Sequence, residues 1–273
     1  MPDRIEIDYA KELARAAGGA VLFAFPLLMT MEMWWLGFHM ERLRLALFVT
    51  GGMLLLLGLS RRVGFSSRSR WFDDICDALS AFGVGAAVSA LLLLLFNILQ
   101  PSMSAGEWIG KIAIQSVPAG VGAILARAQF TQPDGGEEKT DRPPGFAGEL
   151  FLMVAGAVYV AFNVAPTDEI EQIAQIMTPW HGIVLAIVSV SLLHLFVYML
   201  GFAGQEEWPR DHGFLTVFAR FSLSGYALAL AVSFYILWTF GRIDDTGITE
   251  IVMMVVVLGF PASIGAATAR LIV

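Results

Sequence analysis

Two glutamates stand at matched places in an otherwise apolar chain. Glu32 lies in MTMEMWW and Glu169 in PTDEI, each two residues after a threonine, Thr30 and Thr167. A carboxylate in or near a bilayer is expensive unless it is hydrated, paired or holding a cation. Two carboxylates and two hydroxyls are hard oxygen donors, a set that suits a small cation. The plainer alternative is an interfacial acid satisfied by water or by Arg42 and Arg44.

Other residues invite chemistry less directly. Asp73 and Asp77 lie four apart on one helix face. They form either a cytoplasmic cation entrance or, more simply, N-terminal caps opposite Arg68 and Arg70. His194 interrupts an apolar run, which makes it a candidate for proton relay or gating. A neutral imidazole hydrogen-bonded between helices explains it more plainly. Met29, Met31, Met33 and Met40 have the softness for Cu(I). Cys76 is the lone cysteine, however, and Pro166, Asp168 and Ile170 replace the first three methionines in the second half. Packing is the better account. There is no G-x-S-x-G, H-E-x-x-H or P-loop sequence, so no catalysis, cofactor or metal centre is expected.

These residues are set in a strongly apolar chain. Of 273 residues 57% are hydrophobic and 15% charged, well away from the balance of soluble domains. A formal charge of −7 argues against nucleic acid as a partner. The leading segment is acidic and lacks a basic n-region, so the first apolar run is expected to stay as a span and not to be cleaved as a signal peptide. Eight runs are long enough to cross a hydrocarbon core of about 30 Å. They are Ala16–Phe38, Leu43–Ser60, Ile75–Leu99, Trp108–Arg127, Ala147–Ala165, Gly182–Phe202, Phe214–Phe240 and Thr249–Val273. With eight spans, 13 of the 17 Lys and Arg residues fall on the side that holds both termini, which predicts cytoplasmic termini. On a straight first span, Glu32 lies about 24 Å from Ala16, close to the outer interface. Trp34 and Trp35 then form an interfacial belt.

The chain also repeats itself. At an offset of 137, Ala10–Met33 and Ala147–Ile170 share ten of 24 residues without a gap, Glu32/Glu169 and Thr30/Thr167 among them. Ser89 matches Ser233 at an offset of 144, and Pro118–Arg127 matches Pro261–Arg270 at 143. Between the halves, Thr131–Phe146 is rich in proline, glycine and charge, as a flexible linker is. The predicted fold is all-α, a polytopic membrane bundle of eight helices. It is built as a tandem 4+4 parallel repeat, residues 1–130 and 147–273 about the linker 131–146, with a pseudo-two-fold along the membrane normal. Pro118 and Pro261 fall mid-span, where each removes a donor and kinks its helix. The small residues after them (Ala119, Gly120, Gly122, Ala123; Ala262, Ser263, Gly265, Ala266) mark a close helix contact more readily than an ion pathway.

With FPLLMTMEMWWLG (Phe25–Gly37) and RSRWFDD (Arg68–Asp74) in view, the chain resembles a family of bacterial proteins described only as integral membrane proteins. That resemblance covers nearly the whole chain. It implies an eight-span protein of the bacterial inner membrane and brings no activity or site residues with it. The chain looks unlike lysosomal-type potassium channels, which also duplicate their bundle, because their Phe-Ser-Asp signature is missing. The repeated architecture and the paired acids predict an ion channel or secondary transporter for a small cation, with Glu32 and Glu169 at its outer mouth. The competing expectation is a non-transporting scaffold or sensor that binds lipid or a partner protein. Homo-oligomers are compatible with either, because lipid-facing and partner-facing aliphatic surfaces read alike.

Overall fold

Without water to satisfy them, backbone groups in a bilayer must bond within their own segment, so apolar runs of span length fold as helices. A computed structural model of the chain describes residues 4–63, 71–130, 145–199 and 218–272. The described residues are helical almost throughout and include no strand. The helices are α1 (Arg4–Leu28), α2 (Met31–His39), α3 (Arg42–Val63), α4 (Trp71–Leu95), α5 (Ala105–Phe130), α6 (Phe146–Val164), α7 (Glu169–Ile176) and α8 (Pro179–Met199). A π-helical turn, Phe218–Leu223, then runs directly into α9 (Ser224–Thr239), and α10 (Ile248–Ile272) closes the order. Seven helical segments are long and apolar enough to cross a membrane, or eight if the bent pair α1–α2 counts as one span. The expected linker lies almost wholly outside the described residues, and the chain divides into two units, Met1–Glu138 and Lys139–Val273.

In the first unit α5 is the hub. Its span is 78% buried, more than that of any other candidate helix. Each of the four other helices meets α5 at a glycine: Gly19 of α1 at Gly122, Gly37 of α2 at Gly110 and Lys111, Gly52 of α3 at Val117, and Gly85 of α4 at Ser116 and Gly120. Lipid offers no hydrophobic force between helices, so close backbone approach supplies the contact energy instead. A side chain at any of these positions would hold the helices apart.

In the second unit α10 takes the corresponding place. Gly156 of α6 lies against Gly265 and Ala269, Gly182 of α8 against Met253, and Leu230 of α9 against Gly259. Within the first unit Gly19 meets Gly122 and Ala126, and Gly122 meets Phe23; within the second, Gly265 meets Val160. The C-terminal ends of α4 and α9 are closed alike. Asn97 (φ 57°) and Gly241 (φ 72°) take the left-handed conformation, and Ile98 N and Arg242 N donate to Leu93 O and Leu237 O, 2.9 Å each. Both are Schellman-type closures, which satisfy orphan carbonyls at a helix end.

The structure corrects one expectation. The first apolar run is not a single straight helix: it breaks after Leu28, and α2 turns away from α1 by 87°. Glu32 therefore does not lie on the axis of α1, and measuring its depth along that axis fails.

Candidate functional site

The break between α1 and α2 is held by side chains. Pro26 lacks an N–H and opens the last turn of α1. Thr30 Oγ1 donates to Pro26 O at 2.7 Å, and Thr30 N donates to Leu27 O at 3.1 Å. Trp34 Nε1 donates to Leu28 O at 2.8 Å. From the hub, Gln115 Nε2 reaches Leu27 O at 3.5 Å. Three consecutive carbonyls that a continuing helix would have bonded are thus taken up by protein donors, so the helix can end without water to satisfy them. Glu32 falls in the first turn of α2, half-buried, where the helix dipole favours a negative charge.

Beneath α2 lies a pair that the composition-led reading passed over. Lys111 Nζ meets Glu107 Oε1 at 2.8 Å, with side chains 9% and 17% exposed, and its ammonium also lies 3.6 Å from Met103 Sδ. The backbone of α2 at Gly37 covers Lys111 from one side. One turn further on, Gln115 is 1% exposed, and its Oε1 finds no partner among the described residues. Glu107, Lys111 and Gln115 follow a four-residue spacing on one face of α5, a signal that was open to a reading of the sequence.

The second unit arranges the matched residues differently. Thr167 Oγ1 donates to Val164 O at 2.8 Å, so this hydroxyl too serves the end of the preceding helix. Glu169 is exposed in the first turn of α7. Its neighbour Asp168 pairs with Arg242 at 2.7 Å. Gln175 Nε2 donates to both Glu171 Oε1 and Glu250 Oε1, each at 3.1 Å. Two carboxylates therefore converge on one amide at the junction of α7 and α10.

The remaining candidates lie elsewhere. Asp73 is exposed and Asp77 half-buried at the start of α4, the end of the first unit far from Glu32. Between them Asp74 is 3% exposed, an acid whose burial the spacing did not single out. His194, near the C-terminal end of α8, shares a 2.8 Å hydrogen bond through Nδ1 with Ser222 Oγ of the π-helical turn. Pro118 and Pro261 sit inside helices that continue through them, and the small residues beyond each include Gly122 and Gly265, which meet the first helix of their own unit. Thr30 and Glu32 thus share one break, Thr167 and Glu169 flank the other, and Asp73, Asp77 and His194 join neither. Among the described residues no group of three or more His, Cys, Asp or Glu side chains is placed to hold a metal.

Span-length apolar helices, glycine-to-glycine contacts and a helix end whose carbonyls are satisfied by protein donors define a multi-pass integral membrane protein. The chain belongs to the family described as "Putative integral membrane protein (DUF2391)", which matches residues 12–273. No curated protein and no solved structure matches it.

Proposed function

We propose that this protein conducts or transports a small cation across the bacterial inner membrane, with both termini in the cytoplasm. One observation carries the reading: a half-buried carboxylate, Glu32, sits on a short helix turned 87° from the apolar helix before it. Broken helices place partial charges and carboxylates where a continuous span would place only aliphatic surface. Glu169 takes the matched place in the second half, on the first turn of α7. We further propose that the halves are a tandem duplication of a four-span unit. The paired glycine contacts, the paired closures at Asn97 and Gly241, and the paired threonine bonds support this. The sign of the ion follows from the acids, and no bond-making chemistry is assigned.

The test is cation flux into proteoliposomes. Transport by the wild-type protein, reduced at least about tenfold in Glu32→Gln/Glu169→Gln, is the expected result. Flux that is unchanged in the double variant removes these residues from the mechanism. A second reading, a scaffold or sensor without transport, draws support from how completely Thr30, Trp34 and Gln115 close the break. It predicts no flux and indifference to both substitutions.

A further inference from the structure

We propose that α2 is an interfacial helix, lying along the headgroup–acyl boundary with its outward face against lipid, and is neither the end of a span nor a re-entrant limb. The outward face is Met31, Trp35 and Phe38, which are 57%, 60% and 58% exposed. These follow the four- and three-residue steps of one helix face. The opposite face, Met33 and Gly37, is buried, with Gly37 against Gly110 and Lys111 of the hub. Met, Trp and Phe are too apolar for open water. Tryptophan in particular concentrates at the boundary, where an amphipathic ring meets both phases.

Depth follows from the helices that α2 touches. Gly37 contacts α5 at Gly110 and Lys111. Those residues lie about 8 Å from the Ala105 end of α5, at 1.5 Å per residue. A bilayer of about 40–45 Å with a core of about 30 Å has a boundary layer of about 5–8 Å on each side. The apolar run of α5 begins at Trp108, so with the Ala105 end among the headgroups α2 crosses α5 within about 5 Å of where core gives way to headgroups.

The end of α1 agrees. α1 packs along α5 through Gly19 and Gly122, and Leu27 O reaches the level of Gln115. The stretch Ala10–Leu28 is about 28 Å long, close to the core thickness by itself. Arg15 lies about 20 Å from the break, near enough to the opposite boundary for its guanidinium to reach water. α1 thus arrives at the boundary as it ends, and the 87° turn directs α2 along the membrane plane. The stacked Trp35 and His39 rings, 5.6 Å between centroids, and the Phe38 edge on His39 at 4.7 Å extend the aromatic belt to the last turn. This placement also roofs the Glu107–Lys111 pair with helix backbone. It does not depend on transport.

The test measures depth. Met31→Cys, Trp35→Cys and Phe38→Cys are made singly in full-length protein carrying Cys76→Ser, spin-labelled, and reconstituted in phosphatidylethanolamine–phosphatidylglycerol vesicles. Oxygen and a polar nickel chelate then report depth. An interfacial helix gives one shared depth near the boundary for all three labels. A helix continuing along the normal, or a re-entrant limb, separates the labels at 31 and 38 by about 10 Å, and that gradient overturns the proposal. Because labelling removes Trp35 at one site, tryptophan quenching by brominated lipids in wild type and Trp35→Phe supplies an independent measure. Bromines near the carbonyl end of the chain should quench the Trp35 share of the emission. Quenching of that share mainly by bromines at the chain terminus overturns the proposal as well.

Discussion

Gly156 and Gly265 lie so close that a methyl group on either would run into the carbonyl oxygen of the other, and Gly19 and Gly122 stand in the same reciprocal relationship. Each pair joins the first helix of a unit to its hub. Neighbouring Gly18 and, on α4, Gly83 have open space where a side chain would go.

The first prediction uses that contrast. Gly122→Val and Gly265→Val should destabilise by about 1–3 kcal/mol through forced separation of the helices. Gly18→Ala and Gly83→Ala should be neutral, or stabilise by up to about 1 kcal/mol, because alanine favours the helix. Thermal unfolding in detergent ranks the four variants. Equal losses in all of them would refute close packing as the cause.

The second concerns the pair under α2. Lys111→Met alone leaves the Glu107 carboxylate in a site sheltered from water and should cost about 3 kcal/mol. Adding Glu107→Gln should return much of that loss, because a neutral pair has no charge to desolvate. A double-mutant cycle measures the coupling. Strict additivity of the two changes would show that they do not interact.

The third separates a cap from an ion ligand at Thr30. Thr30→Val keeps the branched shape and removes the bond to Pro26 O. Loss of that bond should lower stability by about 1 kcal/mol. Trp34→Phe, which frees Leu28 O, should do the same. If the hydroxyl serves only the break, any cation flux survives Thr30→Val while the melting temperature falls. If Thr30 holds the ion, flux falls with it.

The fourth compares two polar contacts of the second unit. Asp168 is 61% exposed in its bond to Arg242. Asp168→Asn should therefore change stability by less than about 1 kcal/mol, and by less still at high salt. Ser222 is fully buried against His194. Ser222→Ala should cost about 1 kcal/mol or somewhat more, and salt should not alter the loss. Unfolding at two ionic strengths distinguishes them.

Most of the helices were legible because a span needs so many consecutive apolar residues that composition alone marks it. The break after Leu28 was not. PLLMTMEMWW is apolar enough to continue α1, and Pro26 offers no decisive signal, since Pro118 and Pro261 sit in helices that run on. What ends α1 is partly remote: Gln115 reaches Leu27 O from 88 residues away, and Trp34 folds back over Leu28 O. Local spacing cannot report such a partner. The burial of Asp74 between exposed Asp73 and half-buried Asp77 depends on how α4 is rotated about its axis, which neighbouring helices set. Glu107 and Lys111 differ in kind. Their four-residue spacing was in plain view, but their burial was not, and burial is what makes them notable.

In the first unit the hub is made after the four helices that pack on it. While α1 to α4 are being made, the glycines that will seat them have no α5 backbone to meet. Arrival of α5 offers all four contacts within a single helix, so closure of the unit is tied to completion of its synthesis. A nascent chain stopped before Ala105 would hold inserted helices without their shared centre, the kind of loosely assembled substrate that membrane quality control removes.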